Sequence, residues 1–172
     1  MCVELKKVEF IYYFAMNKKY LIFGATGSIG SSLSNQMYEE KQDCHLVGRN
    51  KEELKEIANK LSYSYSVCDV LKMNFADNLF KDLTETEILG IAYCVGSIDL
   101  KPLRITKSKD FVSSYVLNLV AATDIIRTFQ DNLKRIGEGF DAANLAKFLL
   151  STNSSWITGQ IIGVDGGRGA IA

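Results

Sequence analysis

Three glycines, Gly24, Gly27 and Gly30, stand three residues apart in GATGSIG, directly after the apolar run KKYLIF. Glycine permits a tight turn and lets the backbone approach a bulky anion. A helix starting at the end of this loop would add free N–H groups and a positive dipole end, completing a cradle for a pyrophosphate. The spacing points to a bound dinucleotide, with a glycine-rich turn that holds no ligand as the alternative. Thr26, Ser28 and Ile29 are the loop's other candidate contacts.

The next informative stretch is LVGRN, where Gly48 is followed by Arg49 and Asn50. At the end of a second strand, a carboxylate suits the ribose of NAD, whereas a basic residue accommodates the 2′-phosphate of NADP. No carboxylate stands here, and a guanidinium pairs well with phosphate. The sequence therefore favours NADP(H) over NAD(H); a solvated arginine ahead of a helix is the alternative reading of Arg49.

These residues need elements to hold them. KKYLIFG, CHLVG, YSVCDV and ILGIAYCVGS are short apolar runs that read as buried parallel strands. Ile29, Leu33 and Met37 recur at helical spacing after the glycine loop. Asn50 and Glu53 have the spacing of a capping box, ahead of a stripe of Leu54, Ile57, Ala58 and Leu61. FADNLFKDL reads as a short helix, and KDFVSSYVLNLVAATDIIRTFQDNL as a long, mostly buried one. DAANLAKFLLS reads as a helix capped by Asp141, and GQIIGVDGG as a last strand whose Asp165 belongs to the closing turn. Strands alternating with helices imply an α/β, doubly wound parallel sheet with right-handed connections.

Composition sets outer bounds. The 172 residues suit one domain; 47% are apolar, 23% are charged, and net charge is zero. No basic patch marks a nucleic-acid partner, and no apolar run reaches the ~20 residues of a membrane span. Cys2, Cys44, Cys68 and Cys94 include no C-x-x-C pair, and only His45 could join them at a metal. They read as inert thiols in a reducing, cytoplasmic setting, with no metal site. Residues 1–15 read as an extension outside the domain, and MNKKYLIFG, from Met16, as the natural start of a single domain over 16–172.

Taken together, the chain resembles the short-chain dehydrogenase/reductase family from Lys18 to Gly167. GATGSIG matches the family's glycine-rich loop, and GRN its NADP-preferring form. CDV matches the Asp-Val pair that contacts adenine, which the resemblance assigns to Asp69 and Val70. YCVG stands where the family usually has Asn-Ala-Gly, so only Gly96 is carried over. Asn118 in VLNLVAA matches the helix asparagine of the catalytic tetrad, and DAANLAKFLLSTNSSWITGQIIGVDGG resembles the family's C-terminal helix and final strand. The resemblance implies an NADP(H)-dependent oxidoreductase acting on a carbonyl or alcohol.

The rest of that chemistry is missing. The family uses a serine and a Tyr-x-x-x-Lys pair, in which lysine lowers the tyrosine pKa for proton transfer. The eight tyrosines are followed four residues later by Met16, Asn17, Gly24, Gln42, Val67, Asp69, Ser97 and Leu119, never by lysine. About two ~30-residue βαβ units are expected to be missing near residues 130–140, where the long helix runs straight into the C-terminal segment. The resemblance implies a family sheet ordered 3-2-1-4-5-6-7. Without the fifth and sixth strands the Rossmann-like sheet is shortened to about five strands. Their order is 3-2-1-4-7 if the last strand closes onto the fourth, or else the fourth strand becomes an exposed apolar edge. Asn118 reads as vestigial or structural. The expected roles are an impaired or inactive oxidoreductase, a non-catalytic dinucleotide-binding subunit that forms a homo-oligomer or pairs with a full-length relative, or an incomplete gene product.

Overall fold

The structure is a computed structural model, and it describes residues 17–97, 102–129 and 138–160, together with 162 and 164. The chain divides into two compact units, Met1–Asn132 and Leu133–Ala172. The proposed extension 1–15 and its Met16 boundary, the junction at 130–137 and the turn at Asp165 lie outside the described residues.

In the first unit, four strands run parallel in the order β3-β2-β1-β4. They are β1 (Asn17–Phe23), β2 (Cys44–Gly48), β3 (Ser64–Val67) and β4 (Thr86–Tyr93). Three of the four strands begin one or two residues before the expected runs and end one to four residues before them, where the chain turns toward the site. The helices between strands are α1 (Ser28–Glu39), α2 (Lys51–Leu61) and α3 (Phe75–Asp82). The expected fifth strand falls largely outside the described residues; Gln160, Ile162 and Val164 are described and are not in a strand.

Two apolar layers sandwich the sheet. Ile22, Ala25, Cys44 and Leu46 pack with Leu54 and Ala58 of α2. On the other face, Leu21, Phe23, Val47 and Ile88 pack with Phe75, Ala76 and Leu79 of α3. Alternation along β1 and β2 drives both layers: successive side chains point to opposite faces, so a parallel strand buried on both sides is mostly apolar, with Lys19 and His45 the buried polar exceptions here. β2 is buried at all five positions. In β4 the register shifts opposite Lys19 and Tyr20, leaving Leu89 as an extra residue. That bulge lets both Ile88 and Ile91 pack on the α3 face.

The helix of 108–129 is continuous but changes winding: α4 (Ser108–Tyr115), a π-helical turn (Val116–Val120), then α5 (Ala121–Phe129). Most of its surface was expected to be buried. Only Ala121, Ile125 and Phe129 are buried along it, and α4 buries nothing. One apolar side meets the sheet and the other is exposed, so the apolar composition overstated burial. Among the described residues, no helix is long and apolar enough to cross a membrane.

The second unit contains α6 (Gly139–Leu149) followed by a short 3₁₀ turn (Thr152–Ser154). Asp141 is not the N-cap that its sequence position suggested. Glu138 is the N-cap, and Asp141 sits in the first turn, where its carboxylate accepts from the Glu138 N–H at 2.8 Å. This is the reciprocal half of a capping box, three residues in from the cap.

Candidate dinucleotide site

In a parallel sheet all strands end on the same edge, and there the chain gathers its candidate residues. β1 ends at Phe23, and the loop bends between its neighbours. Gly24 N–H donates to the Val47 carbonyl at 2.8 Å, and Cys94 N–H donates to the Phe23 carbonyl at 2.9 Å.

Gly24 has φ +74°, a left-handed conformation that penalises any side chain. A Cβ there would also lie 2.8 Å from the Cys94 carbonyl oxygen. A Cβ on Gly30 would run into the backbone of Gly24 and Ala25, 2.9 Å from the Ala25 Cα. Gly30 therefore allows α1 to start hard against the turn. Gly27 is more relaxed, with 3.3 Å to the Gly24 oxygen.

Gly27 is the N-cap of α1. No side chain caps that end, and the first turn carries no acidic residue. A helix start normally finds such partners for its orphan N–H groups. Here those groups face outward beside exposed Gly27, Ser28 and Ile29. The cradle fits an anion: it offers free donors, a positive dipole end and no competing carboxylate. Ile29 is 70% exposed, so it lies on the rim of the loop rather than with Leu33 and Met37 against the core.

The next two strand ends lie alongside. A Cβ on Gly48 would touch the Thr26 methyl at 3.7 Å, which places the start of the Arg49 loop against the glycine loop. Arg49 is exposed and makes no ion pair among the described residues. Asn50 caps α2, its Oδ1 accepting from the N–H groups of Glu52 at 3.2 Å and Glu53 at 3.4 Å. Its side-chain oxygen is thus committed to the helix. Past β3, the Cys68 N–H donates to the Gly48 carbonyl at 2.8 Å, so Asp69 emerges beside Arg49. The Asp69 carboxylate accepts from the Leu71 N–H at 3.0 Å and holds its turn. Val70 is buried in the core, leaving only its backbone for any ligand.

Gly96 and Asn118 meet beyond β4. The Asn118 Oδ1 accepts from Ser97 N–H at 3.2 Å, and its Nδ2 donates to the Ser97 carbonyl at 3.1 Å and the Ser114 carbonyl at 2.9 Å. A Cβ on Gly96 would press on Asn118 Oδ1 at 3.2 Å. Sequence reasoning missed the neighbouring tether, in which the Tyr93 hydroxyl donates to the Leu117 carbonyl at 2.6 Å. Its one available signal was a polar-tipped ring at the end of an apolar strand. Burial pushes the Tyr93 hydroxyl above its ordinary pKa, so it stays a donor. The π turn supplies what both tethers use, since its altered winding presents the Leu117 carbonyl and the Asn118 side chain together.

A concavity of about 510 Å³ lies elsewhere, at the opposite edge of the sheet between Tyr38, Asp43, Leu61 and Tyr63. Chemistry marks the glycine-loop edge as the candidate site.

A sequence profile described as short chain dehydrogenase matches residues 18–140. A 3-oxoacyl-[acyl-carrier-protein] reductase from Rickettsia bellii is 32% identical over 104 residues, covering 59% of this chain and 42% of the relative. A diacetyl reductase [(S)-acetoin forming] from Staphylococcus epidermidis is 28% identical over 174 residues, covering 96% of this chain and 62% of the relative. Among solved structures, an alcohol dehydrogenase from Thermococcus sibiricus complexed with 5-hydroxy-NADP superposes with TM-score 0.61 at 22% identity, covering 67% of this chain and 53% of that one. The chain thus spans less than two thirds of the length of these relatives.

Proposed function

The chain belongs to the short-chain dehydrogenase family, and from that premise we propose that it binds NADP(H) but reduces little or no carbonyl substrate by itself. The family handles nicotinamide dinucleotides; the finer reading rests on this chain's own residues. The observation that carries it is the start of α1, whose donors have neither a side-chain cap nor an acidic neighbour. The loop around Gly24, Gly27 and Gly30 would take the pyrophosphate, with Thr26, Ser28 and Ile29 at its rim. Arg49 would pair with the 2′-phosphate, and Asp69 would meet the adenine side.

Bound dinucleotide would supply or accept hydride. What the chain lacks is the proton chemistry beside it: the 172 residues contain no tyrosine with a lysine four positions on. Asn118 is spent on the Ser97 backbone, which makes it a positioning residue.

Two measurements test the reading. Ligand that binds only the folded chain raises its melting temperature. NADPH should produce a clear rise, NADH a smaller one, and NADPH oxidation over a panel of carbonyl compounds should stay at background. A larger shift with NADH would overturn the NADP(H) preference, and turnover would overturn the inactivity.

One observation favours a second role as a dinucleotide-binding subunit of an oligomer. Phe111, Val112, Tyr115, Leu119 and Ile126 form an apolar stripe along α4, the π turn and α5, and each is more than half exposed. Sedimentation of the chain alone, and mixed with a full-length relative, checks this. A strict monomer under both conditions removes it.

A further inference from the structure

The lower part of the sheet carries a polar chain that the dinucleotide site does not use. Lys19 of β1 and His45 of β2 are both buried, and both reach Ser64 of β3. The Lys19 ammonium donates to the Ser64 hydroxyl at 3.0 Å and pairs with the Asp43 carboxylate at 3.3 Å. His45 Nδ1 lies 2.9 Å from the Ser64 hydroxyl, and Nε2 lies 2.9 Å from that of Ser66. One consistent direction runs from Lys19 through Ser64 to an accepting Nδ1, with Nε2–H donating to Ser66.

This arrangement matters because β3 lies at the edge of the sheet, held otherwise by its backbone ladder to β2 and by Tyr65, which packs against the core. None of its four residues is buried, and among the described residues it pairs with β2 alone, over Ser64 to Val67. Two of those four residues are the serines bound to His45. The strand leads directly into the Asp69 turn.

We propose that the Lys19–Ser64–His45–Ser66 chain is an acid-sensitive latch: neutral His45 ties β3 to the sheet, and its protonation frees β3 and the Asp69 turn, so that dinucleotide binding weakens. The last step rests on the NADP(H) reading above; the latch itself does not.

The electrostatics set the direction. Burial disfavours the imidazolium most, and the Lys19 charge adds to this; Asp43, and Asp82 at the end of α3, oppose it. A protonated ring would stand within about 6 Å of the Lys19 ammonium, since both touch one hydroxyl. The result holds His45 down to about 4 in the folded chain. The unfolded chain binds this proton near the ordinary value of about 6.5, so the latch is intact above that pH and fails progressively toward 4. Opening of β3 should rise about twentyfold between pH 7 and pH 5.

His45 is the chain's one histidine, so its NMR signals need no assignment. In the full chain labelled with ¹⁵N, the ring should be the neutral Nε2–H tautomer at pH 7, with a midpoint well below 6.5. Amide exchange, corrected for intrinsic rates, should speed up across Ser64–Val67 as pH falls to 5, while Leu21–Phe23 of β1 keep their protection. In His45→Gln the β3 exchange should lose this pH dependence. A midpoint at 6.5 or above, equal loosening of β1 and β3, or the same pH dependence in His45→Gln overturns the latch. NADPH affinity measured in parallel should fall more steeply with acid in the wild type than in His45→Gln; that comparison cancels protonation of the 2′-phosphate, which titrates near pH 6. Equal falls in the two proteins overturn the link to binding. Absence of NADPH binding at pH 7 removes the dinucleotide reading and leaves the exchange data to decide the latch.

Discussion

The Asn118 side chain grips the backbone of Ser97 from both sides, accepting from its N–H at 3.2 Å and donating to its carbonyl at 3.1 Å. One amide thereby imitates a strand partner for the loop after β4 and fixes Gly96 against the π turn. Asn118→Ala removes both bonds at an exposed site, and the net cost of such bonds is about 1 kcal/mol each. The expected result is a loss of about 1–2 kcal/mol in urea unfolding and faster exchange at Ser97. Unchanged exchange at Ser97 would show that the grip is not what orders the loop.

The three loop glycines should not be equally sensitive. Gly30→Ala drives a methyl into the Gly24 backbone, and Gly24→Ala combines φ +74° with a 2.8 Å approach to the Cys94 oxygen. Each should cost about 2 kcal/mol or more, or prevent folding. Gly27→Ala meets only the Gly24 oxygen at 3.3 Å, and should fold with a loss under about 1 kcal/mol while weakening dinucleotide binding. Thermal melts of the three variants check the order.

Arg49 separates binding from stability, because it is exposed and unpaired among the described residues. Arg49→Ala should leave the melting temperature of the free chain within a degree or so. It should weaken NADPH binding by about tenfold or more through loss of a charge-assisted phosphate contact, with NADH affinity nearly unchanged. Calorimetric titration with both cofactors reads this directly, and an equal loss for both would remove Arg49 from the 2′-phosphate role.

Two helices end on residues ill suited to their conformation. Lys41 has φ 57° after α1, and Ser62 has φ 56° after α2. Both donate backward into the helix that precedes them, Lys41 to the Tyr38 carbonyl and Ser62 to the Asn59 carbonyl. Glycine fits such left-handed ends without strain. Lys41→Gly and Ser62→Gly should each raise stability by about 0.5–1 kcal/mol, seen as higher urea midpoints. A lower midpoint would mean that the side chain contributes more than its backbone strain costs.

Much of the candidate site was legible in the sequence because its signals are local. The glycine spacing needs only a strand before it and a helix after it, and Asn50 declares the start of α2 within four residues. Arg49 and Asp69 could be placed because each lies within two residues of a strand end. Ile29, read on the same period as Leu33 and Met37, lies in the first turn of α1 but is exposed, away from the core that those two residues pack against. The long helix misled for a different reason: apolar residues reveal what would gain from burial, while burial itself depends on whether a neighbour is there.

The sequence by itself determined the succession of the first four strands and the helices between them, the glycine loop, the α2 cap and the absence of a Tyr-x-x-x-Lys pair, because each is written within a few consecutive residues. Tertiary structure decided the jobs of the polar side chains. His45 reaches Ser64 and Ser66 across 19 and 21 residues, Asn118 reaches Ser97 across 21, and Tyr93 reaches the Leu117 carbonyl across 24. Those partners become neighbours only when parallel strands align and the helix after β4 folds back with its π turn. Hydrogen bonds act over about 3 Å, so no pattern along the chain could have named them.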